Sequence, residues 1–148
     1  MEQGAGLTQA GGARSCLRRA ANPKPSVMND KQFRFQDMTI WRRAAEVSDP
    51  LFRLADQLED KRLFRFAEQL RAAALSITNN IAEGSGSALA DDFAHFLNMS
   101  RRSIFEVANM PVLFGGRKHL ETTETRSLLQ ELQEQSRMIL ALRRTLKS

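Results

Sequence analysis

Two polar pairs stand at helical spacing in the middle of this chain: Asn80 with Glu83, and Ser103 with Glu106. Residues three apart are neighbours on a helix surface, so each pair sets a carboxylate beside an amide or a hydroxyl. Such a set can do acid–base chemistry or hold a metal ion. It can equally tie helix ends and loops together, or sit where subunits touch. The second reading is the stronger. The stretch "SITNNIAEGSGS", Ser76 to Ser87, closes an apolar run on the glycines of a tight turn, where polar caps belong.

The metal reading fails on spacing. A di-iron bundle takes a carboxylate from each of two helices and a Glu-x-x-His from each of the other two. This chain has one Asp92-x-x-His95, and His119 has no carboxylate three residues before it. Two histidines and one cysteine do not make a zinc set. That cysteine, Cys16, lies far from any helical pattern and can form no intramolecular disulfide. No serine has a histidine or lysine at a telling distance, and no glycine-rich phosphate loop occurs. The expectation is a protein that is not an enzyme, with no cofactor and no metal.

Arginines remain. Arg42-Arg43 and Arg101-Arg102 are adjacent pairs, one member of each pointing away from its helix's core. On the second helix, Arg62 and Arg65 share with Gln69 the face opposite the apolar stripe, and Arg71 follows. These seven are the candidate nucleic-acid surface, since phosphates are held by cations. Glu59, Asp60 and Glu68 lie close by, and a scattered charged face is ordinarily only solvated. Repeated around a closed oligomer, however, a modest patch becomes a ring of positive charge. The formal net charge of +5 adds little. Residues 1–38 carry six basic against three acidic groups, and the other 110 residues carry 16 against 14.

Four elements must position these groups. Ile40, Ala44, Val47, Leu51, Leu54 and Leu58 recur at spacings of 4, 3, 4, 3 and 4, one face of a helix. Pro50 interrupts that face, so one kinked helix is expected there. A second stripe runs Leu63, Phe66, Ala67, Leu70, Ala73, Ala74, Ile77 and Ile81. Gly84 ends it, as the residue that adopts the left-handed conformation without cost. Ser87 then caps a third helix with stripe Phe93, Leu97, Ser100, Ile104 and Val107, failing around Pro111 or Gly115-Gly116. The fourth stripe is Leu128, Leu132, Gln135, Ile139, Leu142 and Leu146. Trp41, Phe52, Phe64 and Phe105 widen the stripes beyond what one thin bundle hides. The fold class is all-α, an up-down-up-down four-helix bundle over residues 33–148.

Residues 1–32 show no apolar period and are expected to be disordered. A start at Met28, with the preceding residues an upstream extension, fits the composition equally well. Residues 1–27 lack the apolar core of a signal peptide, and no run approaches a membrane span. The cytoplasm, and no membrane partner, are expected.

Three blocks carry a resemblance: "FRFQDMTIWRRAAEV", "QLRAAALSITNNIAEGSG" and "FLNMSRRSIFEV". The chain resembles the four-helix bundle proteins of the ribosomal-RNA intervening-sequence family over about Phe33 to Leu146. The matching residues are Trp41 and Ala44; Gln69, Leu70, Arg71, Ser76, Ile77, Asn80, Ile81, Ala82, Glu83 and Gly84; then Ser103, Ile104 and Glu106. The resemblance implies a bundle assembling into a homopentameric ring, and brings no enzymatic activity. A related branch, the accessory proteins of diversity-generating retroelements, uses such a ring to bind nucleic acid and a reverse transcriptase. The resemblance therefore implies RNA, DNA or a reverse transcriptase as partner, with a protein-binding scaffold as the alternative. The chain departs from the family at Arg71-Ala72, where many members have two arginines. It departs again at Pro50, and at "NMPVLFGGRKHL", where the third helix is expected to stop early.

Overall fold

The computed structural model describes residues 33–116 and 122–147, and the expectations for residues 1–32 and for His119 fall outside them. A short 3-10 turn, Arg34–Asp37, leads into four helices: α1 (Thr39–Asp60), α2 (Phe64–Ser85), α3 (Ala90–Gly116) and α4 (Thr122–Leu146). No strand occurs among the described residues. Each helix packs on its neighbour in sequence, and α4 also meets α1.

The apolar stripes face one core. Leu51, Leu58, Leu70, Ile77, Ile81, Leu97, Val107, Leu132 and Ile139 are all fully buried. Each contributes about 1.5–3 kcal/mol over an exposed position. Trp41 and Phe52 are half-buried against this core. They are therefore packing residues and not the surplus surface expected of them. Phe64 and Phe105 do stay exposed.

α1 runs through Pro50 unbroken. Pro50 withholds the N–H that would bond the Glu46 carbonyl, and Glu46 is exposed, so water is at hand. Ser48 caps nothing; its Oγ donates to the Ala44 carbonyl at 2.8 Å.

The turn after α1 ends the helix with two bonds. Leu63 N donates to Leu58 O at 2.9 Å, and Arg62 N donates to Glu59 O at 2.8 Å. This is a Schellman motif, whose central position takes the left-handed conformation. Arg62 fills it, with φ 60°, where glycine is the usual choice. The expectation that Arg62 lies on the second helix is thus corrected: it lies in the turn before α2.

Gly84 is also corrected. It sits buried within α2 as an ordinary helical residue and does not stop it. Its lack of a side chain serves packing, because a Cβ there would stand 2.6 Å from Phe96 Cβ and 2.7 Å from Phe93 Cδ2. Phe66, expected in the core, is 45% exposed. Ser87 stands before the helix start without capping it. Its Oγ accepts from Leu89 N at 3.1 Å and donates to Asp92 Oδ2 at 3.2 Å.

α3 ends at Gly116, the later of the two ends expected, and not at Pro111. Pro111 costs it one backbone bond, but Met110, Pro111 and Phe114 are all buried and hold the helix to Gly116.

Candidate functional site

The polar motif residues meet where α2 packs on α3. Ser100 Oγ donates to the Ile77 carbonyl at 2.8 Å, fully buried. Asn80 Nδ2 donates to Ser76 O at 2.7 Å and to Ser76 Oγ at 3.0 Å. Ser76 Oγ and Ser103 Oγ lie 2.9 Å apart, and Ser103 Oγ donates to Met99 O at 3.2 Å. A hydroxyl has one hydrogen. Since that of Ser103 is committed to Met99, Ser76 donates to Ser103. The bonds run in one direction, Asn80 to Ser76 to Ser103 to Met99, and each hydroxyl is satisfied. Gly84 makes room on the same side, where Phe93 and Phe96 of α3 press against its backbone.

Within this seam the paired residues divide. Ser103 joins the two helices through Ser76, and Asn80 bonds Ser76 within α2. Glu83 and Glu106 are exposed, and neither carboxylate has a partner among the described residues. Glu106 lines a groove with Phe66, Gln69, Met110 and Leu113. An acid–base pair needs two groups within hydrogen-bond reach, and the bonded groups here are an amide and two hydroxyls.

The seven candidate arginines do not converge. Arg71 bridges from α2 to α1, with Nη2 donating to Asp56 at 2.6 Å and Glu59 at 2.5 Å. Those two bonds, Asp56 first, hold its guanidinium charged further above its ordinary range. Arg42 donates to the Gln36 carbonyl at 2.9 Å and meets Asp37 at 3.4 Å, while Arg43 meets Glu46 at 3.1 Å. Arg101 turns toward α4, where its Nε donates to Ser136 Oγ at 3.0 Å and its guanidinium lies 5.2 Å from the Phe105 ring. Arg62, Arg65 and Arg102 are exposed and make no ion pair among the described residues. A phosphate can compete for these three at least cost.

Trp41 packs at the start of α1, its ring 4.8 Å from that of Phe35, which stacks on Phe33. Arg34 donates to the Ser85 carbonyl at 3.4 Å and lies over the Phe93 ring at 5.6 Å, placing a cation at the carboxyl end of α2. Periodicity missed this contact, although an arginine between two phenylalanines just before a helix was its visible signal. It missed as well that Gln135, a polar residue on an apolar stripe, would reach across to α1. Gln135 Nε2 donates to Ile40 O at 2.7 Å, while its Oε1 is buried without a partner.

His95 is exposed, its ring edge toward Phe96. Among the described residues no three acidic, histidine or cysteine side chains gather as a metal site requires. No helix of the described residues is long and apolar enough to cross a membrane.

A comparison with curated proteins found no match. The family described as 23S rRNA-intervening sequence protein matches residues 36–141, a span that begins just before α1 and ends within α4. It takes in the α2–α3 seam that the motif residues build, and the chain belongs to this family.

Proposed function

We propose that this protein is a non-enzymatic scaffold: an antiparallel, up-down-up-down bundle that joins copies of itself into a closed ring and holds a macromolecular partner. The ring has five subunits by the family resemblance. The antiparallel order is supported by contacts that pair early residues of α2 with late ones of α3, and the reverse: Phe66 with Phe114, and Ile77 with Ser100.

Self-association rests on the apolar surface of α2 and α3. Phe66 and Leu113, the latter 58% exposed, line an open groove of about 330 Å³. Leaving such surface in water costs about 25 cal/mol per Å², and contiguous apolar patches mark contact sites. A head-to-tail contact whose rotation closes makes a ring. Sedimentation velocity tests this reading with wild type and Leu113→Lys. Wild type should sediment as one oligomer across micromolar concentrations, and the variant as smaller species. If both keep the same oligomer, the interface lies elsewhere.

A second reading, binding of RNA, DNA or a nucleoprotein such as a reverse transcriptase, is favoured by Arg62. A non-glycine residue in the left-handed region costs about 1–2 kcal/mol, and such strain persists where a side chain is needed. Together with Arg65 and Arg102 it makes three exposed candidate arginines with no ion pair among the described residues. Fluorescence anisotropy with labelled single-stranded RNA and duplex DNA measures this directly. Affinity should fall with salt at a log–log slope of about −0.9 per phosphate on duplex DNA. Arg65→Ala with Arg102→Ala should flatten that slope. Absence of binding at low salt would leave the protein scaffold alone standing.

A further inference from the structure

α3 and α4 do not close on each other along their whole length. Between them lies an open groove of about 390 Å³, floored by Ile104, Ala108, Leu129 and Leu132 and walled on the α3 side by Phe105. Phe105 is 60% exposed. Its ring is held in place by Arg101, which stacks on it while bonding Ser136 across the groove. Arg126 also lines the groove and makes no ion pair among the described residues.

No carboxylate lines this groove among the described residues. The acids of the same two helices are placed elsewhere. Glu106 faces the groove between α2 and α3, Glu131 faces the one between α1 and α4, and Glu134 meets Arg137 at 3.5 Å. The result is an apolar floor with two cations and no anion.

We infer that the α3–α4 groove docks an amphipathic, acid-flanked helix of a partner protein. This deepens the scaffold reading and rests on it for the claim that a protein is held. Helix-in-groove recognition uses apolar side chains at i, i+4 and i+7, and acidic flanks complement Arg101 and Arg126. The chain's own residues 1–32 are the wrong occupant, with five Lys/Arg against two acids. A second copy is the alternative occupant: it leaves Glu83 and Glu106 without a partner among the described residues, while several of its other acids beside apolar stretches are engaged. Asp56 and Glu59 hold Arg71, Asp49 holds Arg53, Glu46 holds Arg43, and Asp91 meets Lys147.

The test uses the full chain and two fluorescein-labelled helical peptides. Both carry leucines at i, i+4 and i+7; one has glutamates on its flanks and the other lysines. Wild type should bind the glutamate peptide about ten-fold more tightly, the difference expected from charge contacts at Arg126 and Arg101. Arg126→Glu should reverse the preference. Ala108→Trp, which fills the groove, should abolish binding of both peptides while the helical circular dichroism melt stays cooperative. Equal affinity for the two peptides, or no reversal in Arg126→Glu, would overturn the inference whatever the fate of Ala108→Trp. Loss of oligomer mass in Ala108→Trp would assign the groove to a second copy, and tighter peptide binding after removal of residues 1–32 would assign it to that segment. Either result overturns the inference, and the wild-type oligomeric mass, measured alongside, reports separately on the scaffold reading.

Discussion

Replacing Gly84 with alanine probes the α2–α3 seam at its tightest point. The new Cβ would meet Phe96 Cβ at 2.6 Å and Phe93 Cδ2 at 2.7 Å, where carbon atoms prefer about 3.5–4.0 Å. Phe96 Cβ is attached to the backbone, so no rotamer change relieves it. The helices must part by about 1 Å. In an open helix the same substitution would help by about 1 kcal/mol, the propensity difference between the two residues. Against that stands overpacking, at about 1–3 kcal/mol. The cost falls at the upper end because parting the helices also stretches the Ser100–Ile77 and Ser76–Ser103 bonds. A net loss of about 1–2 kcal/mol is expected. Gly86 is the control. Its φ of −79° suits any residue, and a Cβ there would approach only the Glu83 carbonyl, at 3.3 Å. Gly86→Ala should therefore stay within about 0.5 kcal/mol of wild type. Urea unfolding followed by circular dichroism measures both, at fixed protein concentration because self-association shifts apparent stability. A Gly84→Ala protein as stable as wild type would refute the close-approach account.

Other outcomes follow from single contacts. Arg62→Gly should raise stability by about 1 kcal/mol, since glycine takes the left-handed turn position without strain; a fall in urea midpoint would show that the arginine side chain itself stabilises the turn. Gln135→Leu should be neutral or stabilising by about 1 kcal/mol, because it removes a buried acceptor that has no partner, whereas Gln135→Ala should lose about 2 kcal/mol to the cavity. Thermal unfolding separates the two. A chain beginning at Met28 should keep the helical circular dichroism and the oligomeric mass of the full chain, and loss of either would make residues 1–27 structural.

The four helices were legible because burial imposes a period, and Leu51, Ile77, Leu97 and Ile139 sit on it without exception. What was not legible depends on partners distant in sequence. Gly84 reads as a helix stop until Phe93 and Phe96 are known to press on it. Arg71 reads as a free cation until Asp56 and Glu59 are brought across from α1. Phe66 keeps the right period yet stands exposed, because periodicity gives a direction around the helix and not the presence of a neighbour there. Arg62 was misplaced because its neighbours fit a helical period, while a Schellman turn is defined by backbone bonds that leave a sequence signal only when glycine fills it. The motif pairs were legible as pairs, but spacing alone cannot divide them. Asn80 is bonded to Ser76 one turn back on its own helix and Ser103 reaches Ser76 across the seam, while Glu83 and Glu106 are exposed.

The scaffold proposed here works only as an assembly of identical chains. Light scattering coupled to size exclusion measures that without any assumption about partner or ligand. A mass of about 84 kDa is expected, five times the 16.7 kDa of one chain, unchanged on dilution through the micromolar range. A mass of 16.7 kDa at every concentration would contradict it, and the apolar surface of α2 and α3 would then need another explanation.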